Sequence, residues 1–437
     1  MSVNPRGLAL KLLNKIEQNQ AYSGLVLQTE LKNAKLKPVD MRLVYRLIYG
    51  VLSYRLTIDY VIQKFCARKI APGVRNILRL AIYQLLYLDR VPDFAVVNEA
   101  VKLASQNGGA RVGGFVNAVL RNILRQRDSL FADLPNGAPE EISVHESHPR
   151  WLVDKWCKRW GADFTRELCA ANNQPAPLTV RVNTKVCGID KFCRQLDKQG
   201  IPWSHCKYSV RGIVLPQTPF GDVPGFDLGW FIAQGEASML AVEALDPQPG
   251  DSILDMCSAP GGKATYLAEL AAPGQVMAVD LFDARLKLVG QNMARLQIDN
   301  IDLLAGDATT LETKFNTGYD RILLDAPCSG FGVVRKKPEI KWSRSPGDLT
   351  ELSKLQSNLL NQACKLIKPG GVIVYSTCTL TWEENEAVIE KAVKANENLR
   401  LVPFKISGLS ADKGSLTLFP HVHGTDGFFI AKLQRMI

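Results

Sequence analysis

Two cysteines and three aspartates occupy positions in this sequence from which they could do chemistry. Cys328 stands in DAPCSG and Cys378 in YSTCTL, and each follows a run of apolar residues. Asp280, Asp307 and Asp325 end apolar runs in the same way. A thiolate is a nucleophile near neutral pH, and carboxylates accept hydrogen bonds or move protons. The combination predicts one site for covalent chemistry on a substrate held beside a bound cofactor.

Five short apolar runs would bring these residues together. They are SILDMC (252–257), QVMAVD (275–280), IDLLAGD (301–307), RILLDAPC (321–328) and GGVIVYSTC (370–378). Because stretches with helical periodicity separate them, we predict parallel strands covered on both faces. In such an open sheet, ligands bind beyond the carboxyl ends of the strands. The sequence therefore predicts a Rossmann-like α/β domain over residues 231–437, with its reactive groups on one edge.

Length and composition indicate a soluble protein of several domains. The 437 residues are too many for one core and predict two or three. We expect a cytoplasmic protein with no membrane segment, because no apolar stretch could cross a bilayer and the N-terminus lacks a signal-peptide core. The ten cysteines form no CxxC pair and no tight Cys/His spacing, so we expect free thiols and no metal site.

The basic charge of the chain is concentrated near its start. The formal net charge is +10, yet residues 1–127 alone carry 20 Lys and Arg against 7 Asp and Glu. A basic segment joined to a slightly acidic remainder predicts a polyanionic partner, most simply nucleic acid. On charge alone, a solvated surface explains the excess equally well.

The first part of the chain is predicted to be an all-helical domain, residues 1–140. Apolar residues recur every three or four positions in ALKLLNKIEQ, RLVYRLIYGVLSY, VRNILRLAIYQLLYL, VVNEAVKLASQ and GGFVNAVLRNILRQ. Pro and Gly at 38, 72–73, 92 and 108–109 predict the breaks between helices. The following segment FADLPNGAPEEISVHESHP has no periodicity and is predicted to be a linker.

A linker and a small α+β module are predicted over residues 141–230. Two helical stretches precede LTVRVNT, a strand by its β-branched alternation, and a helix and two short strands follow. Arg181, Asn183 and Thr184 on the first strand, with nearby Trp and Tyr residues, could contact a nucleotide chain by charge and stacking. They could equally be ordinary residues of the strand face.

The turn after the first strand of the α/β domain, in LDMCSAPGGKATYLAEL, is predicted to hold a cofactor. Its glycines allow the backbone to approach a ligand, and the helix start offers unpaired N–H donors. The turn matches neither a P-loop nor a dinucleotide fingerprint. Asp280 could accept both hydrogen bonds of a ribose diol, and Asp307 could accept from an adenine amino group. A nucleoside without phosphates fits S-adenosylmethionine, although each aspartate could instead cap a helix.

The two thiols suit methylation of a pyrimidine. Carbon C5 of the ring is a poor nucleophile, so a group must first add at C6, and a thiolate both adds and leaves readily. We predict Cys378 as this nucleophile and Asp325 as the group that protonates or hydrogen-bonds N3. Cys328 would remove the C5 proton or assist release. Either cysteine by itself would more often be a small buried apolar residue.

The order of the motifs resembles that of a known family. DMCSAPGGK, AVD, GD, DAPCSG, KKPEIKW and YSTC are similar to the motifs of the Sun family of RNA 5-methylcytosine methyltransferases, and VVNEAVKLA and GFVNAVLRNIL resemble the domain shared with the antitermination factor NusB. The resemblance implies S-adenosylmethionine as cofactor, 16S rRNA as partner, Cys378 as nucleophile and Cys328 in product release. It implies as cofactor ligands Cys257, Ser258, Ala259, Pro260, Gly261, Gly262, Lys263, Asp280, Asp307 and Asp325. DMCSAPGGKAT departs slightly from the usual AAPGGKT form, with small residues at Ser258 and Ala264.

Two other functions remain open at this point. A non-catalytic RNA-binding or assembly factor could keep the fold, although neither the acids nor the nucleophile has been lost here. A DNA cytosine methyltransferase would carry its nucleophile in a Pro-Cys motif on the fourth strand, which Cys328 satisfies superficially. The preferred hypothesis is a monomeric RNA methyltransferase whose target base leaves any stack to reach Cys378.

Overall fold

A computed structural model describes residues 4–19, 27, 30–31, 36–218, 220–313 and 318–437. The chain forms two compact units. The first comprises residues up to Gln174 together with Val334–Arg344, and the second comprises Pro175–Val333 with Ser345–Ile437. The domain boundaries expected at residues 140 and 230 stay a prediction.

The described residues of the first unit form helices joined by turns and loops. Its helices are α1 (Pro5–Asn19), α2 (Pro38–Ser53), α3 (Arg55–Phe65), α4 (Pro72–Tyr87), α5 (Asp93–Arg125), α6 (Pro139–His145), α7 (Arg150–Trp160) and α8 (Ala162–Asn172), with a short helix Ile340–Ser343. Proline opens α2 and α4, where its missing N–H costs no hydrogen bond. Gly109, at φ +79°, kinks α5 where a break between two helices is predicted.

Residues 131–149 contain more structure than the predicted linker. Helix α6 lies within them, and its Ile142 is fully buried. Two turns of helix are too short to show an apolar period in the sequence, so the pattern gave no signal.

The segment 334–344 packs into the first unit through two polar side chains. Lys341 is 1% exposed, and its Nζ donates to the Ser53 carbonyl at 2.6 Å and to Asn173 Oδ1 at 3.0 Å. Trp342 Nε1 donates to the Leu52 carbonyl at 2.6 Å. Burial lowers the pKa of Lys341 to about 7, against a weaker opposing effect of nearby Cys169 and Glu146.

The second unit begins with a small antiparallel sheet. Its elements are β1 (Leu178–Val182), α9 (Ile189–Lys198), β2 (Ser204–His205), β3 (Gly212–Leu215) and β4 (Phe231–Ala233), in the sheet order β2-β3-β1-β4. Arg181 is fully buried, where it pairs with Glu269 and donates to Gln234. Asn183 is also buried, and its amide donates to two carbonyls. For these two residues the structural alternative is confirmed, whereas Thr184 is exposed.

The large sheet of the second unit holds all five predicted strands. This part of the chain contains α10 (Glu236–Leu245), β5 (Ile253–Asp255), α11 (Gly262–Ala271), β6 (Val276–Asp280), α12 (Asp283–Leu296), β7 (Ile301–Ala305), β8 (Tyr319–Asp325), α13 (Pro346–Leu366), β9 (Ile367–Thr377), α14 (Glu386–Ala395), β10 (Leu399–Leu401), β11 (Phe404–Ile406), β12 (Leu409–Ala411), β13 (Ser415–Leu418) and β14 (Phe428–Arg435). Strands β11 and β12 pair with each other in a separate two-stranded sheet. The order of the large sheet is β10-β14-β9-β8-β5-β6-β7 with β13 on β14, and strands β5 to β9 are parallel. Strands β10, β13 and β14 add antiparallel pairs that the sequence reasoning did not predict.

Helices cover both faces of this sheet, which forms two apolar layers. One layer packs against α10, α11 and α12 and the other against α13 and α14. Strand β7 departs from the expectation of burial on both faces, because it is the edge strand and most of its residues are exposed or half-buried. The α/β fold class is confirmed, and the carboxyl ends of β5 to β9 form the edge that carries the candidate site.

Candidate active site

The two predicted catalytic cysteines meet at the carboxyl ends of β8 and β9. These strands pair in parallel with Asp325 opposite Ser376, so the two strands end side by side on the same edge of the sheet. Cys378 follows directly after β9, and Cys328 lies three residues beyond Asp325. Their Sγ atoms are 3.3 Å apart. Residues 50 positions apart in sequence thus form one dithiol, as the strand ends predict.

The thiol of Cys328 is affected by its contact with Cys378, by burial and by two nearby acids. The hydrogen bond with Cys378 and burial raise the pKa of Cys328 well above its ordinary value, and the charges of Glu384 and Asp325 act in the same direction. Cys328 therefore keeps its proton near neutral pH.

Asp325 is held by two donors. Lys263 Nζ lies 2.6 Å from its Oδ2, and Ser376 Oγ donates to its Oδ1 at 2.8 Å. Burial opposes the charge of Lys263, but Asp325, followed by Asp255 and Cys378, raises the pKa of Lys263 above its usual value. Lys263, which the family resemblance implies as a cofactor ligand, is therefore a fixed cation beside the aspartate and the thiol.

The loop Cys257–Lys263 approaches its surroundings closely. Gly261 has φ +102°, and a Cβ there would lie 3.1 Å from Val289 Cα, so this position requires glycine. Ser258 N donates to the Val279 carbonyl at 2.9 Å, which ties the loop to β6. The carbonyls of Ala259 and Pro260 accept from Arg285 and Asn292. The loop is therefore preformed around the start of α11.

Asp280 ends β6 beside this loop and does not cap α12. Its Oδ2 accepts from Ala259 N at 3.2 Å, and its Oδ1 accepts from Phe282 N at 3.3 Å. Arg285 lies 3.4 Å from the same carboxylate, which is 4% exposed. Leu281 and Phe282, immediately after it, are 58% and 56% exposed and offer apolar surface. A carboxylate beside apolar surface and a glycine turn fits an adenosyl group, and the contact of Asp280 with its ribose stays a prediction.

Asp307 follows β7 and lies in a more open place. Its Oδ1 accepts from Thr309 N at 2.8 Å and from Thr309 Oγ at 2.7 Å, so it fixes the turn Ala308–Thr313. The helix-capping alternative is therefore at least partly realised at this aspartate. Its expected contact with a base stays a prediction.

Two further acidic or thiol groups lie under the site. Burial, with the charges of Asp255, Asp325 and Asp280, raises the pKa of Cys257, so this cysteine of the loop remains a neutral thiol. Asp255 ends β5 and is fully buried, and neither of its oxygens accepts a hydrogen bond of normal geometry from the described residues. Burial raises its pKa to about 7, which Lys263 partly opposes.

A cavity of about 450 Å³ opens beside the loop in the second unit. Asp325 and Lys263 line it together with most of the loop. Phe220, Phe226 and Arg295 also line it. Among the described residues no group of three or more His, Cys, Asp or Glu side chains is arranged to hold a metal ion, and no helix is long and apolar enough to cross a membrane.

A buried polar network behind the thiols escaped the sequence reasoning. Glu384 is fully buried and accepts from the residue after Cys328, and Ser329 contacts Thr379, the residue after Cys378. Acidic and hydroxyl residues in turns follow no spacing rule that predicts such a network. The one sequence feature that pointed to it was Glu384, an acid six positions after Cys378.

Comparison with known proteins agrees with this geometry. The family model described as 16S rRNA methyltransferase RsmB/F matches residues 242–434, and the NusB family matches residues 3–125. A third, described as an RsmF/B-like ferredoxin-like domain, matches residues 148–220. The three matches follow the predicted order of a helical domain, a small α+β module and a methyltransferase domain.

Similar proteins extend over almost the whole chain. A probable ribosomal RNA small subunit methyltransferase B of Bacillus subtilis is 35% identical over 98% of this chain and 98% of its own. The crystal structure of PH0851 is 28% identical and covers 100% of both chains with a TM-score of 0.82. NSun6 from Pyrococcus horikoshii with SFG, an S-adenosylmethionine analogue, covers 67% of this chain and 99% of its own at 25% identity and a TM-score of 0.61. The chain belongs to the S-adenosylmethionine-dependent ribosomal RNA small subunit methyltransferase B family.

Proposed function

We propose that this enzyme transfers a methyl group from S-adenosylmethionine to C5 of one cytosine in 16S rRNA, through a covalent cysteine adduct at C6. The observation that carries the proposal is the pair of thiols 3.3 Å apart beside Asp325 and Lys263. A methyltransferase that attacks an exocyclic amine or a hydroxyl has no use for two thiols in contact. We expect the enzyme to act as a monomer in the cytoplasm, on ribosomal RNA.

Cys378 begins the reaction. Its thiolate adds to C6 of the cytosine, and the electron pair of the C5–C6 double bond moves toward C5 and the N3 side of the ring. Asp325 ends β8, and Lys263 reaches it from the first turn of α11. A proton or hydrogen bond delivered to N3 from this pair stabilises the charge that appears only on addition. Ser376 holds Asp325 from the other side and limits its rotation.

Binding of the methyl donor falls to the loop and the two aspartates beyond β6 and β7. S-adenosylmethionine supplies an electrophilic methyl group to the activated C5. Residues 257–263 would hold the donor against β6, with Asp280 on the ribose and Asp307 toward the base. These assignments rest on the glycine turn at Gly261 and on the apolar surface of Leu281 and Phe282.

Cys328 completes the cycle. While Cys378 is a free thiol, their hydrogen bond holds the pKa of Cys328 high. Alkylation of Cys378 removes that hydrogen bond, and Cys328 then releases its own proton to solvent and becomes a thiolate. Cys328 then accepts the C5 proton, the C5–C6 double bond forms again, and Cys378 leaves as a thiolate.

Two alanine variants test the proposal. Cys378→Ala is expected to abolish methyl transfer, and Cys328→Ala is expected to accumulate a covalent protein–RNA adduct that survives denaturing electrophoresis. Cys364→Ala is the matched control, because this half-buried cysteine of α13 belongs to the same unit but not to the site. Radiolabelled S-adenosylmethionine reports transfer. Undiminished transfer by Cys378→Ala would refute the assignment of the nucleophile.

The substrate itself needs a separate measurement. Bisulfite sequencing of rRNA from cells that lack this gene is expected to show one cytosine losing its methyl group. Exchanged phenotypes of the two cysteine variants would favour the DNA-type mechanism with Cys328 as nucleophile. Binding of the methyl donor without incorporation into any RNA would favour a non-catalytic factor.

A further inference from the structure

A single buried carboxylate lies behind both thiol-bearing turns. Glu384 Oε1 accepts from Ser329 N at 2.8 Å and from Gln356 Nε2 at 3.0 Å. Its Oε2 accepts from Ser329 Oγ at 2.5 Å and from Thr381 Oγ at 2.7 Å. Glu384 is fully buried and Ser329 is 1% exposed. Four donors thus converge on one side chain without solvent.

The network reaches both cysteines through their immediate neighbours. Ser329 follows Cys328 and Thr379 follows Cys378, and their hydroxyl oxygens are 2.8 Å apart. Asn385, the residue after Glu384, accepts from Thr377 Oγ at 2.5 Å and donates to the Thr379 carbonyl at 3.0 Å. Cys378 is therefore bracketed on both sides by hydrogen bonds to Asn385, and Cys328 is tied to Glu384.

Backbone contacts explain why the two turns need such a connection. Gly332 N donates to the Cys378 carbonyl at 2.9 Å, and a Cβ at Gly332 would lie 2.8 Å from that same carbonyl oxygen. The turns already lie too close for an extra methyl group, so small rotations of either one change the distance between the sulfurs. Leaving the buried carboxylate without its donors, or the donors without the carboxylate, costs folding free energy. The hydrogen-bonded arrangement therefore has one stable geometry.

We propose that Glu384 is a positioning residue that fixes the spacing of the Cys328 and Cys378 sulfurs and thereby sets the rate at which the covalent adduct is resolved. This inference rests on the proposed function. Addition at C6 requires only Cys378, whereas resolution requires Cys328 to be in place beside it. A looser network therefore slows resolution more than addition, and adduct accumulates relative to product.

The first test separates adduct from turnover. Glu384→Ala is expected to lower kcat about 100-fold, as for a misplacement of about 1 Å, with the RNA KM changed less than about twofold. The fraction of enzyme trapped as adduct should rise at the same time. Glu384→Gln should recover most of the rate, since its carbonyl can face the two N–H donors and its amide can face the hydroxyls.

Milder variants and a matched control guard against misfolding. Ser329→Ala and Thr379→Val each delete one hydroxyl of the network and are expected to lower kcat about tenfold. Ser209→Ala deletes a hydrogen bond of the same kind in the same unit, because the buried Ser209 Oγ donates to Glu243 at 2.6 Å, far in sequence from the thiols. Equal losses in Ser209→Ala and in the network variants would mean general destabilisation and would overturn the proposal.

The second test needs no catalysis. Phenylarsine oxide bridges two adjacent thiols with loss of water, and peptide mapping of the wild-type protein is expected to find one arsenic across Cys328 and Cys378. Capture should be lost in Glu384→Ala and kept in Glu384→Gln. Capture by Glu384→Ala at the wild-type rate, or none by the wild type, overturns the inference. Full methyl transfer by Cys378→Ala would remove the proposed function, while the capture rates would still decide the role of Glu384.

Discussion

The carboxyl edge of the large sheet has two parts that are built differently. The thiol edge, residues 326–332 and 378–381 beyond β8 and β9, rests on side chains that are almost entirely buried, with Glu384 accepting four hydrogen bonds. The acid edge, residues 280–282 and 307 beyond β6 and β7, is open. Leu281 and Phe282 are more than half exposed, and Asp307 is exposed at the end of an edge strand.

The difference corresponds to two kinds of work. Bond formation at C6 depends steeply on distance, so the groups that perform it must be fixed before the substrate arrives. A cofactor that enters and leaves at each turnover needs an accessible surface. The side chains of that surface can become fixed by their contacts with the cofactor when it binds. We therefore expect changes at the thiol edge to lower kcat and changes at the acid edge to raise the KM for S-adenosylmethionine.

Among the aspartates, the largest effect is predicted for Asp325, which ends β8 next to the thiol edge. We expect Asp325→Asn to lower kcat by a factor of about 10² to 10³ with little change in either KM, because the variant cannot place a proton at N3. Steady-state methyl transfer to rRNA measures it. Asp320→Asn is the control: Asp320 lies at the other end of β8 and also pairs with a lysine, Lys368, at 2.7 Å. If Asp325→Asn raised a KM and left kcat unchanged, the expected difference between the thiol edge and the acid edge would be wrong.

Asp280 should show the opposite pattern. The variant Asp280→Asn is expected to raise the KM for S-adenosylmethionine about 10- to 100-fold, the usual worth of a hydrogen bond to a charged group, and to change kcat by less than about threefold. Isothermal titration with S-adenosylhomocysteine measures the loss of affinity directly, as a dissociation constant. Asp283→Asn, an exposed acid three residues on that pairs with Lys287, should bind normally. A fall in kcat without loss of affinity would move Asp280 out of the cofactor site.

Asp255 lies between the two edges, because β5 is the strand between β8 and β6. Its folded pKa of about 7 is above the ordinary value of 3.8, so its contribution to stability is present at low pH and is lost as pH rises through about 7. Asp255→Asn resembles the protonated form. Between pH 5.5 and 8.5 its stability relative to wild type should rise by about 2 kcal/mol. Thermal unfolding without cofactor measures this, and a difference that does not depend on pH would show that Asp255 ionises normally.

The sequence was most informative where chemistry and strand ends coincide. The five apolar runs predicted the parallel strands and put Cys328, Cys378 and Asp325 on one edge, because parallel strands end together. It did not predict β10, β13 and β14, since short alternating segments near the C-terminus carry a weak signal. It also could not choose between binding and burial for Arg181, because its buried partner Glu269 lies 88 positions away in the sequence.

The smallest effect is predicted for Asp307, and it measures how open the acid edge is. One carboxylate oxygen already accepts from Thr309 N and Thr309 Oγ, so an asparagine can keep those contacts through its carbonyl. We expect Asp307→Asn to raise the KM for S-adenosylmethionine only about threefold, near the lower limit for a neutral hydrogen bond. Thr309→Val, which keeps the backbone donor but removes the hydroxyl, serves as the control for the turn. If both variants lose affinity equally, Asp307 acts by shaping the turn. A larger loss of affinity in Asp307→Asn alone would show that its carboxylate contacts the cofactor. Substitutions at the acid edge would then be as damaging as those at the thiol edge.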